Sequence, residues 1–127
     1  MFTIVRRLML TLMLASIAAG GSIARAADSA KGLEAFAACA ACHAPDKNGL
    51  GPRLAGVVGR TSGSVDGFRY SRAMKNAKIV WDATTLDAYL AEPQKVVPGN
   101  LMPFSGIADA QKRADVIAYL SSLKPQD

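Results

Sequence analysis

A chain of 127 residues, half of them hydrophobic and a fifth charged, has the size and composition of one globular domain, which excludes a disordered chain, a repeat array and a multidomain enzyme. Its formal charge of +5 is set mainly at the front: Arg6, Arg7 and Arg25 are basic and the first 26 residues hold no acid, so residues 27–127 carry 12 basic against 10 acidic side chains. An excess that small, with no Gly-rich phosphate loop, excludes nucleic acid as an expected partner.

In chain order, Arg6-Arg7, an apolar run from Leu8 to Ala19 and the small-residue site Ala24-Arg25-Ala26 have the layout of a secretory signal peptide. Residues 1–26 are therefore expected to be a signal peptide cleaved after Ala26, and residues 27–127 one exported, periplasmic domain. The uncharged stretch Leu8 to Ala24 is 17 residues, just short of the roughly 20 that span a bilayer. An uncleaved membrane anchor is the alternative.

Asp28 or Ser29 is placed to cap a first helix, in which Leu33, Phe36, Ala37 and Ala40 recur at helical period. That helix is expected to run straight into Cys39–His43. From Ala44 to Phe68, two prolines and six glycines interrupt any periodicity, so the segment reads as a long loop of the kind usually kept for function. A short helix is expected around Ser71 to Ala77 and another from Asp82 or Thr84 to Ala91, stopped by Pro93, with a second loop from Pro93 to Gly106. Asp109 opens the last helix, with Val116, Ile117, Leu120 and Leu123 as its apolar stripe and Pro125 at its end. No strand pattern is evident. The fold class is all-α, with three to five short helices and long loops, too few helical residues to close a bundle without a staple.

Cys39-Ala40-Ala41-Cys42-His43 is the Cys-x-x-Cys-His pattern of covalent haem c attachment. Two thiols one turn apart can add to the two vinyl groups on one porphyrin edge, and the adjacent imidazole can face the iron. A thioredoxin-like pair needs a βαβ context that this chain lacks. A structural zinc site needs four ligands, and these are the only cysteines and histidine in the sequence. A single histidine excludes bis-histidine ligation, so the second axial position falls to methionine, another weak donor or nothing. Met102, in a Pro/Gly loop, is the expected ligand; Met74, in a helical stretch, reads as packing, and an open site is the remaining alternative.

Further ordered motifs carry a resemblance. They include Gly51-Pro52-x-Leu54-x-Gly56-Val57-x-Gly59-Arg60, Gly67-Phe68-x-Tyr70-Ser71-x-Ala73, Trp81, Pro93, Pro98-Gly99-x-x-Met102-x-Phe104-x-Gly106 and Ala118-Tyr119-Leu120. With these the chain, from about Gly32 to Leu120, resembles class I cytochromes c of the mitochondrial and short bacterial type, and the resemblance implies the cytochrome c fold around one covalent haem c. It implies that the Pro52 carbonyl accepts a hydrogen bond from the His43 ring. Arg60, Tyr70, Trp81 and Asn100 would hold or shield a haem propionate, the Tyr89 hydroxyl would approach the methionine sulfur, and Phe104 would cover the haem edge. Gly32, Phe36, Val116 and Tyr119 would form the crossing of the first and last helices.

The implied function is one-electron transfer by a monomer between redox proteins of a respiratory or photosynthetic chain. Its partners would be a membrane electron-transfer complex, an oxidase, a reaction centre or a dehydrogenase. Neither enzymatic activity nor a small-molecule substrate is expected, because peroxidase chemistry would need an open iron face beside an acid–base group. Ala37, Ala38, Gln94 and Leu101 stand where relatives often carry lysine, while Lys31, Lys47 and Lys95 remain, so docking is expected to be less salt-dependent than in a strongly basic relative.

Overall fold

The computed structural model describes residues 25–125. The expected signal peptide lies outside them apart from Arg25 and Ala26. Five short helices follow in order: α1 Ser29–Phe36, α2 Arg72–Asn76, α3 Ala83–Ala91, α4 Pro93–Val96 and α5 Ala110–Ser122. Among the described residues the only β pairing is an isolated bridge between Thr61 and Val80. The all-α expectation holds, and no helix among these residues is long and apolar enough to cross a membrane.

The helix starts follow from capping. Asp28 accepts hydrogen bonds from the Ala30 and Lys31 amides at 2.9 and 3.3 Å, Ser71 accepts from Met74, and Asp109 accepts from Lys112 at 2.7 Å. Asp82 and Thr85 form a reciprocal capping box. Each such cap satisfies an amide that the helix itself leaves unpaired, worth about 1 kcal/mol.

The main packing event is the crossing of α1 on α5. A Cβ at Gly32 would lie 1.9 Å from the Asp115 carbonyl oxygen and 2.8 Å from Tyr119 Cβ, so no other residue permits this approach. Phe36 packs on Tyr119 with ring centroids 5.1 Å apart. Gly32, Phe36 and Tyr119 meet there as predicted and Val116 is buried in the same core, but the predicted stripe on α1 is rotated. Leu33 is 54% exposed. The face that packs is Gly32, Ala35, Phe36 and, one turn on, Cys39, because closeness to α5 selects the glycine rather than the larger side chain.

From α3, Leu86, Tyr89 and Leu90 join Phe36, Val57, Trp81, Val97, Val116, Ile117 and Leu120 in one core. The long loop is tied down rather than loose: Gly59 and Ser62 donate to the carbonyls of Trp81 and Ile79 at 2.7 Å, and Trp81 donates back to Arg60 at 2.9 Å. Two boundaries differ from the sequence reading. Pro93 does not open a loop but is the first residue of α4, a position whose missing N–H costs nothing. The last helix stops at Ser122, ahead of Pro125.

Candidate functional site

The Cys-x-x-Cys-His segment follows α1 rather than continuing it as α-helix. Cys39 and Ala40 both donate to the Phe36 carbonyl, at 2.7 and 3.0 Å, and Cys42 and His43 both donate to the Cys39 carbonyl, at 3.1 and 2.9 Å. These successive turns place Cys39 against the core and put both thiols at the same end of α1. The two thiols are not joined to each other. Burial pushes the Cys39 thiol up from its ordinary value, with Cys42 adding to the effect and Lys112 opposing it. A dithiol redox centre depends on a lowered thiol pKa, and Cys39 is displaced in the opposite direction.

His43 is oriented by the turn that follows. Its Nδ1 lies 2.8 Å from the Pro52 carbonyl oxygen. A carbonyl can only accept, so a proton resides on Nδ1, which makes Nε2 the ring atom that would bind a metal. Gly51 makes this approach possible: a Cβ there would meet His43 Cε1, Nδ1 and Nε2 at 2.5, 2.7 and 2.8 Å. Its own amide donates to the Cys42 carbonyl at 2.8 Å, closing the loop back on the motif.

Met102 is held from two directions. The Tyr89 hydroxyl donates to its sulfur at 3.5 Å, and its amide donates to Asn100 Oδ1 at 2.9 Å. Tyr89 is 6% exposed, and burial pushes its hydroxyl up to about 12, so it remains a donor throughout the physiological range. Trp81 packs on the Tyr89 ring at 5.0 Å. Met74 and Met102 are both partly buried against the core.

Asn100 is tied into its own loop. Its side-chain amide donates to the Pro93 and Val97 carbonyls at 3.0 and 2.9 Å. With the bond it accepts from the Met102 amide, it braces the loop that presents Met102. Gln94 shares this work unforeseen, donating to the Asn100 carbonyl at 2.9 Å and accepting from the Gly99 amide at 3.2 Å. Only its spacing of six residues from Asn100 hints at this in the sequence.

Arg60 donates to the carbonyls of Arg53 and Ala55 at 2.8 and 3.3 Å, which aims its guanidinium back over the loop. Tyr70 accepts from the Val65 amide at 3.2 Å and keeps its own O–H available. Burial pushes the Tyr70 hydroxyl up, opposed by the Val65 amide and by the guanidinium groups of Arg60 and Arg53. Phe104 sits beside Cys39, lining with it, Ala35, Ala38, Ile107 and Lys112 a hollow of about 310 Å³.

Among the described residues no cluster of three or more His, Cys, Asp or Glu side chains is positioned to hold a bare metal ion. What is assembled is two thiols one turn apart, an imidazole held through Nδ1, and a loop thioether steadied by a tyrosine. That donor set fits haem c, and with the all-α fold it defines a small covalent haem protein. The chain belongs to the cytochrome c family, whose profile matches residues 29–124. It is 51% identical over 77 residues to cytochrome c of Trypanosoma brucei brucei, spanning 61% of this chain and 83% of that protein. It is 48% identical over 100 residues to cytochrome c2 of Rhodomicrobium vannielii, spanning 76% of this chain and 80% of the relative. The solved structure of cytochrome cH from Methylobacterium extorquens superposes with a TM-score of 0.74 at 49% identity, covering 75% of this chain and 98% of that one. The chain is accordingly a haem c electron carrier, binding one covalent haem c.

Proposed function

We propose that this chain is a periplasmic one-electron carrier whose haem c is attached at Cys39 and Cys42 and ligated axially by His43 and Met102, shuttling between redox proteins of a respiratory or photosynthetic chain. The observation that carries the reading is that each axial donor is oriented by a hydrogen bond from or to a fixed group: His43 by the Pro52 carbonyl and Met102 by the Tyr89 hydroxyl. When bound, the haem supplies a reversible ferric/ferrous couple. A neutral thioether favours the ferrous side, raising the potential relative to harder ligands.

Two protein ligands fill both axial positions, which suits electron passage and leaves no place for peroxide or a small substrate. Arg60, Tyr70 and Trp81 support the propionate-binding reading, since buried carboxylates require donors. Domain limits of 1–26 for a cleaved leader and 27–127 for the carrier rest on the charge, apolar run and small-residue site at the front. At positions where relatives often carry lysine, Ala37 and Ala38 are exposed and Leu101 is 78% exposed, which supports docking less dependent on salt than a lysine-ringed surface would give.

The test is expression with the native leader in a host able to attach haem, followed by ferric and ferrous spectra and haem staining on a denaturing gel. Covalent haem, a low-spin ferric spectrum and the weak red sulfur-to-iron band are expected. A high-spin iron that binds carbon monoxide or reacts with peroxide would overturn the reading in favour of an enzyme or sensor.

A further inference from the structure

Asp115 is a charged side chain that electron transfer does not use. It sits on α5 at the crossing with α1, is 4% exposed, and its carboxylate accepts hydrogen bonds from the Asp28 amide at 2.8 Å and the Gln111 amide at 3.2 Å. The Arg25 guanidinium completes its shell. Burial alone would push this carboxyl up, but the hydrogen bonds from Asp28, Arg25 and Gln111 together bring it below its ordinary value. It is therefore ionised, and an ionised group so enclosed needs a countercharge.

Arg25 is the cation of this cluster, yet it lies on the leader side of the expected cleavage point. Of its other neighbours, Gln111 from α5 is neutral, α1 contributes Gly32, and Asp28 is an acid whose own carboxylate caps α1 and lies 3.8 Å from Arg25. Cleavage after Ala26 would remove the guanidinium and leave an anion at the tightest contact of the fold. The same cut creates an ammonium at Ala27, one peptide unit from the Asp28 amide already bonded to Asp115.

We propose that Asp115 is the seat of the α-ammonium of Ala27 in the processed protein, which takes over the place of Arg25 and keeps the α1–α5 crossing charge-balanced through leader removal. The proposal rests on cleavage after Ala26. It makes the processed N-terminus part of the fold and gives the mature protein a pH dependence that a chain retaining Arg25 lacks. An ammonium paired in the folded state has a raised pKa, so its stabilisation is complete below the ordinary α-amino value of about 7.7–8.0 and is lost as pH rises through the higher folded value. A guanidinium stays charged over that whole range.

The experiment uses the exported holoprotein. Intact mass first identifies the N-terminus, and the α-amine is then titrated by NMR in the wild type and in Asp115→Asn. Expected are an N-terminal Ala27 and an amine titrating about half a pH unit or more above its ordinary value, returning to that value in Asp115→Asn. Selective acetylation of the α-amine is the second perturbation, and it should lower the melting temperature and abolish its fall above pH 8. An amine that titrates normally in the wild type, or acetylation without effect, overturns the proposal. A mature chain that begins elsewhere or keeps Arg25 overturns it too, while the haem spectrum, read on the same sample, reports on the electron-carrier reading separately.

Discussion

Gly51→Ala isolates the contact that orients the axial histidine. The new Cβ would stand 2.5 Å from His43 Cε1 and under 3 Å from both ring nitrogens, whereas ordinary contact begins near 3.4 Å. The imidazole or the loop must therefore retreat by roughly 0.9 Å, the difference between those distances, and the 2.8 Å bond to the Pro52 carbonyl cannot survive such a shift unstrained. Overpacking of this kind costs about 1–3 kcal/mol, and loss of the hydrogen bond adds about 1 kcal/mol. For a domain near 100 residues that total of about 2–4 kcal/mol corresponds to a melting temperature lowered by roughly 8–30 °C. Thermal unfolding of the exported holoprotein by circular dichroism, with the ferric spectrum recorded alongside, measures both effects. Gly49→Ala is the control, because its Cβ would meet only the Cys42 carbonyl, at 3.4 Å. If Gly51→Ala melted within about 2 °C of wild type with an unaltered spectrum, the account of how His43 is positioned would be refuted.

Asn100→Ala should leave the Pro93 and Val97 carbonyls and the Met102 amide without their partner, costing about 1–3 kcal/mol in denaturant unfolding and weakening the methionine-dependent red band. Tyr89→Phe keeps the ring on Trp81 but removes the donor to sulfur; stability should fall by no more than about 1 kcal/mol, and the reduction potential measured by voltammetry should shift. Burial raises the Tyr89 hydroxyl to about 12, so its neutral form is preferred in the fold. The associated stability is intact below about pH 10 and declines as pH rises from there through 12, which a spectrophotometric tyrosine titration of wild type against Tyr89→Phe would register as the loss of a late-ionising hydroxyl, distinct from Tyr70, which is also raised.

Much of this was legible before the structure, for identifiable reasons. Capping residues and prolines act locally, so Asp28, Ser71, Asp82 and Asp109 announce their helices. The Cys39–His43 motif carries its chemistry in its spacing. The rotated face of α1 was not legible, because a periodicity count favours Leu33, whereas close approach to the Asp115 carbonyl favours Gly32, a residue such a count ignores. The bracing bonds of Asn100 and Gln94 were not legible for a related reason: polar loop residues of the same type can serve a ligand or the backbone, and the bonds they make here follow from the three-dimensional path of residues 93–102. The pairing of Arg25 with Asp115 spans 90 positions and leaves no local trace.

The most direct test of the central claim is the Met102→Ala holoprotein compared with Met74→Leu in ferric absorption and reduction potential. Met102→Ala is expected to retain covalent haem, lose the sulfur-to-iron band, bind external ligands and fall in potential, while Met74→Leu keeps the wild-type spectrum. An unchanged spectrum and potential in Met102→Ala would contradict the ligand assignment and the route from it to electron carriage.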